Sequence, residues 1–399
     1  MKKTRRWAIC LASCTVALGA MWAAGRSAAL PADAPSGTQR QTFDVLDIRF
    51  GVVDPPVIAQ RDISIRTATS NQRLEPKPLE CSGMAWIGDA FLVTSDRHGH
   101  ALFTVPFNVE TCQIGEPQVR PVIGNEEKIL DDAESVTVRP ALDGGYVVYV
   151  SCSLSNDRSE LPLPKRRHML RCHIGPDGNP TRPQAVVMEG GHLRQRLQQE
   201  FDTLGVQPYR AFYGEFPGPN KNTYRWGNVE GITFTPNADT LLCGMRNPMP
   251  ADCAMLFAIA NVDRAFDAED PSLLEVTDLF VLDLGERGIA DICWDPVTQG
   301  YLIVAGRSAG PKLDKDQPYP PNWLDSALFW WSGRKSDAPV LFAKAPDMKI
   351  EAICRLGDTG FIAIGSDEGD VSEGREQRQS VLTILYFTGL VEARASTDG

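Results

Sequence analysis

The sequence has no Gly-rich phosphate loop, no Gly-x-Ser-x-Gly elbow and no His-Glu-x-x-His. These absences argue against phosphate-loop chemistry, elbow-type serine hydrolases and zinc proteases. Histidine is scarce, with five residues in 399. Two of them form Asp96-Arg-His98-Gly-His100, where a His-x-His could ligate a transition metal, but no partner ligand is identifiable. None of the ten cysteines has Cys-x-x-Cys spacing, so structural bridges or buried thiols are expected rather than zinc. Beyond the first two dozen residues no apolar run is long enough to cross a membrane. Positive charge is in deficit, 40 Lys and Arg against 51 Asp and Glu, a formal net of −11. Such a surface repels nucleic acid and anionic membranes and suits cations.

What is present begins with a secretory signal. Lys2, Lys3, Arg5 and Arg6 precede an apolar run from Trp7 to about Ala24, and Ser27-Ala28-Ala29 offers a cleavage site. The alternative is a retained N-terminal anchor. Cleavage after Ala29 removes five cations and no acids, moving the formal net charge from −11 to −16. The mature chain is then periplasmic or extracellular, with residues 30–41 as a Pro/Ser/Gly-rich leader and 391–399 as a tail. Eight cysteines remain in a compartment where disulfides persist. Local pairing favours Cys152 with Cys172 and Cys243 with Cys253 across hairpins, although the two pairs ask for different hairpin registers.

Residues 42–390 read as one all-β domain. Two alternating runs, Phe43–Phe50 and Asp62–Arg66, precede five copies of one plan. Each copy has an apolar anchor in a first strand, at Met84, Val136, Ile232, Ile292 and Ile353, spaced 52, 96, 60 and 61 residues apart. A turn and a second apolar strand follow, for example Phe91-Leu-Val-Thr-Ser and Tyr301-Leu-Ile-Val-Ala-Gly, then a third strand such as Ala254-Met-Leu-Phe-Ala. Weaker fourth strands include Gln184–Met188 and Val340–Ala343. Four strands per unit at this period is the signature of β-propeller blades. Five blades are visible, and a sixth requires the N-terminal strands to recruit part of the 96-residue gap. That gap carries an inserted amphipathic helix over 191–205, with Leu193, Leu197, Phe201 and Leu204 on one face. In a closed ring the N-terminal strands complete the last blade and remove an open edge.

Aligned on the anchors, the positions two residues earlier hold Ser82, Glu134, Glu230, Ala290 and Glu351, and those four earlier hold Glu80, Asp132, Asn228, Gly288 and Lys349. If the first strands are innermost, these residues face the central channel, whereas Asp291 faces the other way. Converging carboxylates cannot all stay ionised without a cation, a basic group or a proton. A ring of such oxygens suits calcium or another divalent cation, with Glu134, Glu230, Glu351 and Asp132 as ligands. Alternatively, each Glu bonds backbone N–H groups of a neighbouring blade. The second strands end on Arg97, Ser153, Arg246, Arg307 and Asp367. Arginine's planar fork fits carboxylate or phosphate, so Arg97, Arg246 and Arg307 either grip a small anionic ligand or pair with the ring acids.

Asn228-Val-Glu-Gly-Ile-Thr-Phe with Leu241-Leu-Cys-Gly-Met-Arg-Asn-Pro248, and Ile289-Ala-Asp-Ile-Cys-Trp-Asp295 with Tyr301–Arg307, resemble the bacterial propeller family called domain of unknown function 3616 over most of residues 75–390. That family implies no assigned chemistry. Cys81-Ser-Gly-Met-Ala-Trp with Thr94-Ser-Asp-Arg97 is similar to the phytase-like esterase propellers, a likeness confined largely to the first blade, and implies ester hydrolysis at an acidic channel mouth. Ser82 and Ala290 depart from the carboxylate pattern. Two functions follow as expectations. One is a metal-assisted ester or phosphoester hydrolase, and the other is a non-catalytic propeller that binds a small anionic molecule or a protein. A monomer is expected, with no nucleic-acid partner and no membrane association beyond export.

Overall fold

The computed structural model describes residues 55–68, 74–122, 130–155, 163–188, 228–236, 240–247, 252–306, 326–345, 348–367 and 380–389, together with residues 199, 203 and 249. The first strand, β1 (Val57–Asp62), is followed by a hairpin of β2 (Ser64–Ala68) and β3 (Leu74–Pro78). Blade 1 comprises β4 (Cys81–Trp86), β5 (Ala90–Ser95), β6 (Ala101–Asn108), β7 (Gln113–Ile114) and β8 (Gln118–Pro121), the last two both pairing β6. Blade 2 is β9 (Ala133–Pro140), β10 (Tyr146–Cys152), β11 (His168–Ile174) and β12 (Pro180–Val187). Blade 3 is β13 (Asn228–Phe234), β14 (Thr240–Asn247), β15 (Ala254–Ala260) and β16 (Glu275–Leu282), with the short helix α1 (Val262–Asp267) between the last two. Blade 4 is β17 (Gly288–Asp295), β18 (Gly300–Gly306), β19 (Ser326–Trp331) and β20 (Val340–Ala345). Blade 5 is β21 (Ile350–Arg355), β22 (Phe361–Asp367) and β23 (Ser380–Tyr386), completed by β1.

The ring closes at five. The innermost strands touch in the order β4, β9, β13, β17, β21 and back to β4, which leaves no place for a sixth blade. The 96-residue spacing therefore separates two adjacent blades, since β9 packs directly on β13. The inserted helix expected over 191–205 lies almost wholly outside the described residues, as does the run Phe43–Phe50. Five apolar clusters fill the molecule, one in each interface between neighbouring blades. Blades 2 and 3 share Tyr149, Met169, Phe234 and Phe257, for example, and blades 1 and 5 share Met84, Phe103, Leu382 and Ile384. Each sheet is thus covered on both faces. That is why the second strands are continuous apolar runs rather than alternating ones.

The closing strand is not the run that the alternation suggested. β1 pairs β23 in antiparallel register, Asp62 opposite Val381 and Gln60 opposite Thr383, and Gln60 Nε2 donates to Thr383 Oγ1 at 3.1 Å. The chain turns away at Ile63, whose N–H is taken by the Ser380 carbonyl. The segment beyond it forms the β2–β3 hairpin instead. The two local disulfides do not form either. Cys172 stands opposite Val148, four residues along β10 from Cys152, and Cys243 stands opposite Phe257, four residues from Cys253. Four strand residues span about 13 Å, roughly twice the Cα separation that a disulfide bridges. All eight described cysteines are free thiols.

One irregularity repeats in every blade. The pairing of each innermost strand with its neighbour skips one residue, and the skipped residues are Ser82, Glu134, Glu230, Ala290 and Glu351. A β-bulge of this kind bends the strand and re-aims the extra side chain. Next to the bulges the strands crowd the axis. A Cβ on Gly231 would lie 2.8 Å from the Ile292 nitrogen and 2.9 Å from the Asp291 Cα, and one on Gly83 would lie 2.6 Å from the Ser135 Cα. Between these glycines sits a buried polar hub. Asp291 accepts from the N–H groups of Ile353 and Ile292, both at 2.8 Å, and from Ser135 Oγ at 3.3 Å, while Ser135 Oγ accepts from Ile232 N–H at 2.8 Å. Three of the five anchors are tied through one carboxylate and one hydroxyl. Asp291→Ala is expected to cost on the order of 2–3 kcal/mol by orphaning buried N–H groups, and Gly231→Ala a similar amount by overpacking backbone against backbone. Thermal unfolding of the two variants checks this, and unchanged midpoints would contradict the hub.

Candidate functional site: the acidic mouth

The innermost strands all start at one end of the ring, and this end differs from the other. At the far end the first and second strands of blades 1, 2, 4 and 5 are joined by short turns over 87–89, 141–145, 296–299 and 356–360. At the near end the inner strands begin and the second strands finish. The bulge residues and those before them open onto the same end.

The two aligned rings of residues turn out to be cross-strand partners within blades. In blade 1 Arg97 pairs with Glu80. In blade 2 Ser153 Oγ donates to Asp132 Oδ2 at 2.5 Å, and Arg166 reaches the same oxygen at 2.9 Å. In blade 5 the polarity is reversed, Lys349 Nζ lying 3.3 Å from Asp367 and 2.7 Å from Glu351. Glu80 and Asp132 both have left-handed backbone, at φ 55° and 62°, which is costly for a residue with a Cβ and turns each carboxylate toward its partner.

Arg246 has a longer reach. From blade 3 it lies 2.8 Å from Glu230 and makes a two-pronged contact with Glu351 of blade 5, its Nη1 at 3.1 Å from Oε1. To do so its guanidinium crosses blade 4, where an added Cβ on Gly306 would stand 3.6 Å from Nη2 and 3.8 Å from the Ala290 Cβ. Small residues at Ala290 and Gly306 make room for it, while Gly288 lies against the Arg246 backbone. The missing acid of blade 4 is therefore the berth of an arginine. Arg307 lies outside the described residues. Arg97 is half exposed at the rim.

The remaining acids lack such partners. Among the described residues no basic group or donor is bonded to Glu134, and Asp96 Oδ1 and Asn228 Oδ1 are buried without a hydrogen-bond partner. Burial pushes Glu134 well above the usual carboxylate range, helped by repulsion from Asp132, Glu230, Asp96 and Glu351. Burial, then the charges of Asp367 and Asp132, raise Asp96 to about 6. Glu230 and Glu351 share Arg246 unequally. Burial outweighs Arg246 at Glu230 and lifts it to about 8, whereas Arg246 and Lys349 together overcome burial at Glu351 and hold it near 2. Glu351 is thus the ionised member of the pair.

The sequence-derived ligands Glu134, Glu230, Glu351 and Asp132 do share the mouth, but they are not equivalent. Glu230 and Glu351 are held by Arg246, and Asp132 by Arg166 and two serines, Ser155 Oγ lying 3.1 Å from it. No group of three or more His, Cys, Asp or Glu positioned for a metal ion occurs among the described residues. Asp96, noted in the sequence only beside the histidines, is the mouth acid that alignment of the rings missed. It could have been found as the acid adjoining an aligned arginine. Asp291, assigned to the opposite face, belongs to the hub beneath the mouth.

The chain is a five-bladed β-propeller with an acidic axial mouth. No protein-family model matches it, and no curated protein does. Solved structures that match it do so at low identity and low TM-score. A luciferin-regenerating enzyme is 6% identical, with 81% of this chain and 85% of that one covered at a TM-score of 0.33. An exo-β-1,3-galactanase from Phanerochaete chrysosporium is 10% identical, with 81% and 64% covered at 0.40. The PQQ-bound aldose sugar dehydrogenase from Streptomyces coelicolor is 13% identical, with 86% and 98% covered at 0.32.

The mouth acids set a pH dependence. Asp96 and Glu230 bind protons more tightly folded than unfolded, at about 6 against 3.8 and about 8 against 4.5. Each therefore favours folding below about pH 4, and this contribution is lost as pH rises through 6 and then 8. Glu351 acts oppositely, contributing above about 4.5 and losing its effect as pH falls through 2. In chelator, the unfolding midpoint is expected to be highest near pH 4–5 and to fall toward pH 8. A midpoint that climbs throughout that interval would contradict this assignment.

Proposed function

We propose that the protein is exported to the periplasm or beyond, and that its acidic mouth takes up a divalent cation together with a small anionic ligand, as a metal-assisted ester or phosphoester hydrolase does. The observation that carries this reading is the gathering of carboxylates at the mouth, where the half-buried Glu134 has no counter-charge bonded to it among the described residues and is raised by burial and by its acidic neighbours. A hard cation held there would relieve that repulsion and would supply Lewis-acid polarisation of a phosphoryl or carbonyl oxygen, with one or two protein carboxylates sufficing when the ligand supplies further oxygens. Because Arg246 is engaged by Glu230 and Glu351, a cation held by the mouth acids would supply positive charge for the anion that Arg246 does not. A second reading, a non-catalytic binding scaffold, is favoured by the Arg246 clamp itself, which joins blades 3 and 5 across blade 4.

Calcium or magnesium is expected to raise the unfolding midpoint at pH 7–8 and to support turnover in a screen of phosphate and carboxylate esters, both effects disappearing with chelator. The absence of a cation effect on stability and of turnover would leave the scaffold reading. Arg246→Met is expected to lower stability by about 3–5 kcal/mol, since it leaves buried Glu230 and Glu351 without the guanidinium they share, as measured by denaturant unfolding. A change under 1 kcal/mol would show that the clamp does not hold the blades.

A further inference from the structure

Around the axis the mouth divides into two unlike halves. On blades 4 and 5 the level of the bulges is occupied by cations, the Arg246 guanidinium lying over Gly306 and Ala290, and Lys349 over Glu351 and Asp367. On blades 1, 2 and 3 the same level carries oxygen acceptors without partners among the described residues. Asp96 is brought to the bulge of blade 1 by its N–H, which donates to Ser82 Oγ at 3.0 Å. Its Oδ1 remains buried and unbonded. Glu134 is itself the bulge residue of blade 2. Asn228 begins the inner strand of blade 3, drawn against blade 2 by the bond from Val229 N–H to the Ser153 carbonyl at 2.8 Å. Its amide nitrogen donates to Glu230, which turns the amide oxygen away, and that oxygen is the buried Oδ1 left without a donor.

Asp96 Oδ1 and Asn228 Oδ1 are buried acceptors with nothing to accept from among the described residues, and such atoms are exceptions in folded proteins that point to an absent partner; the half-buried Glu134 stands between them in blade order. We infer that the cation seat is formed by Asp96, Glu134 and the amide oxygen of Asn228, on three consecutive blades, and not by Glu230 and Glu351. This inference rests on the reading of the mouth as a cation site. Two carboxylates and one amide oxygen are hard ligands that suit calcium, magnesium or manganese and disfavour metals that seek nitrogen or sulfur. Water and the oxygens of an anionic ligand complete the sphere. Asp132 is excluded because Ser153, Ser155 and Arg166 already occupy its carboxylate.

Calorimetric titration of the full-length protein with calcium chloride and manganese chloride separates the two sets. Asp96→Asn, Glu134→Gln and Asn228→Ala are expected to weaken binding at least about tenfold, as loss of even outer-sphere partners costs on that order. Glu351→Gln and Asp132→Asn, which remove one charge from the same mouth, are expected to weaken it only a few-fold. A second readout guards against misfolding: with chelator present, Asp96→Asn and Glu134→Gln are expected to raise the unfolding midpoint, because each removes an acid whose charged form is disfavoured by partial burial and by acidic neighbours. If the unaltered protein binds none of these ions, the reading of the mouth as a cation site falls and the seat with it. If it binds them and Glu351→Gln or Asp132→Asn abolishes binding while the other three variants retain it, the seat is overturned and the reading of the mouth survives.

Discussion

Five strands meeting at one axis place backbone N–H groups and side-chain acids in a space too narrow for water to serve them all, and the arrangement of the molecule follows from how that demand is met. Each inner strand carries a bulge two residues before its anchor, and a bulge leaves ladder groups without their usual partner. For blades 3, 4 and 5 the anchor N–H is met by Ser135 or Asp291. Asp291 is buried, and burial holds its pKa well above the usual range despite two backbone N–H bonds and a hydroxyl that favour the ion. The hub can be compact only because Gly83 and Gly231 let neighbouring strands approach within backbone contact. The mouth above it inherits its shape from the same bulges.

Charge at the mouth is arranged by geometry rather than by count. Arg246 leaves its own blade, passes over the small residues of the next and grips an acid on the one after. One guanidinium therefore quenches two acids on one side, while Asp96 and Glu134 on the other side are left to repel each other and their neighbours. The low-dielectric interior magnifies both effects. Elsewhere acids and bases are matched more locally. Arg355 makes a two-pronged bond to Asp295 at 2.7 and 2.6 Å between blades 4 and 5. Asp263 of α1 gathers Arg139 and Arg171 at the border of blades 2 and 3.

The blade plan was legible because its signal is local and repeated. Apolar runs, turns and anchor spacing depend on residues near one another, and each of the five second and third strands expected from the sequence is present. An N-terminal strand closes the last blade as expected, but it is Val57–Asp62, which has no marked alternation, while Asp62–Arg66 falls across its end and the following hairpin, the chain turning at Ile63 where Ser380 takes its N–H. The disulfide pairings failed for a related reason. Two cysteines on a hairpin can bond only in one register, and hairpin register is set by turn geometry and by packing on both faces. Asp96 was not counted among the ring acids because it lies one residue before the aligned Arg97.

By itself the sequence determined the repeat, the all-β class, the acidic excess and the residue types at the channel end of each inner strand, since these follow from period, composition and alignment. Tertiary structure decided the number of blades, which acids are quenched and which are not, and that Ala290 is a berth rather than a defect. Those outcomes depend on distances between blades far apart along the chain. No local pattern encodes the path by which the Arg246 side chain reaches Glu351 across blade 4.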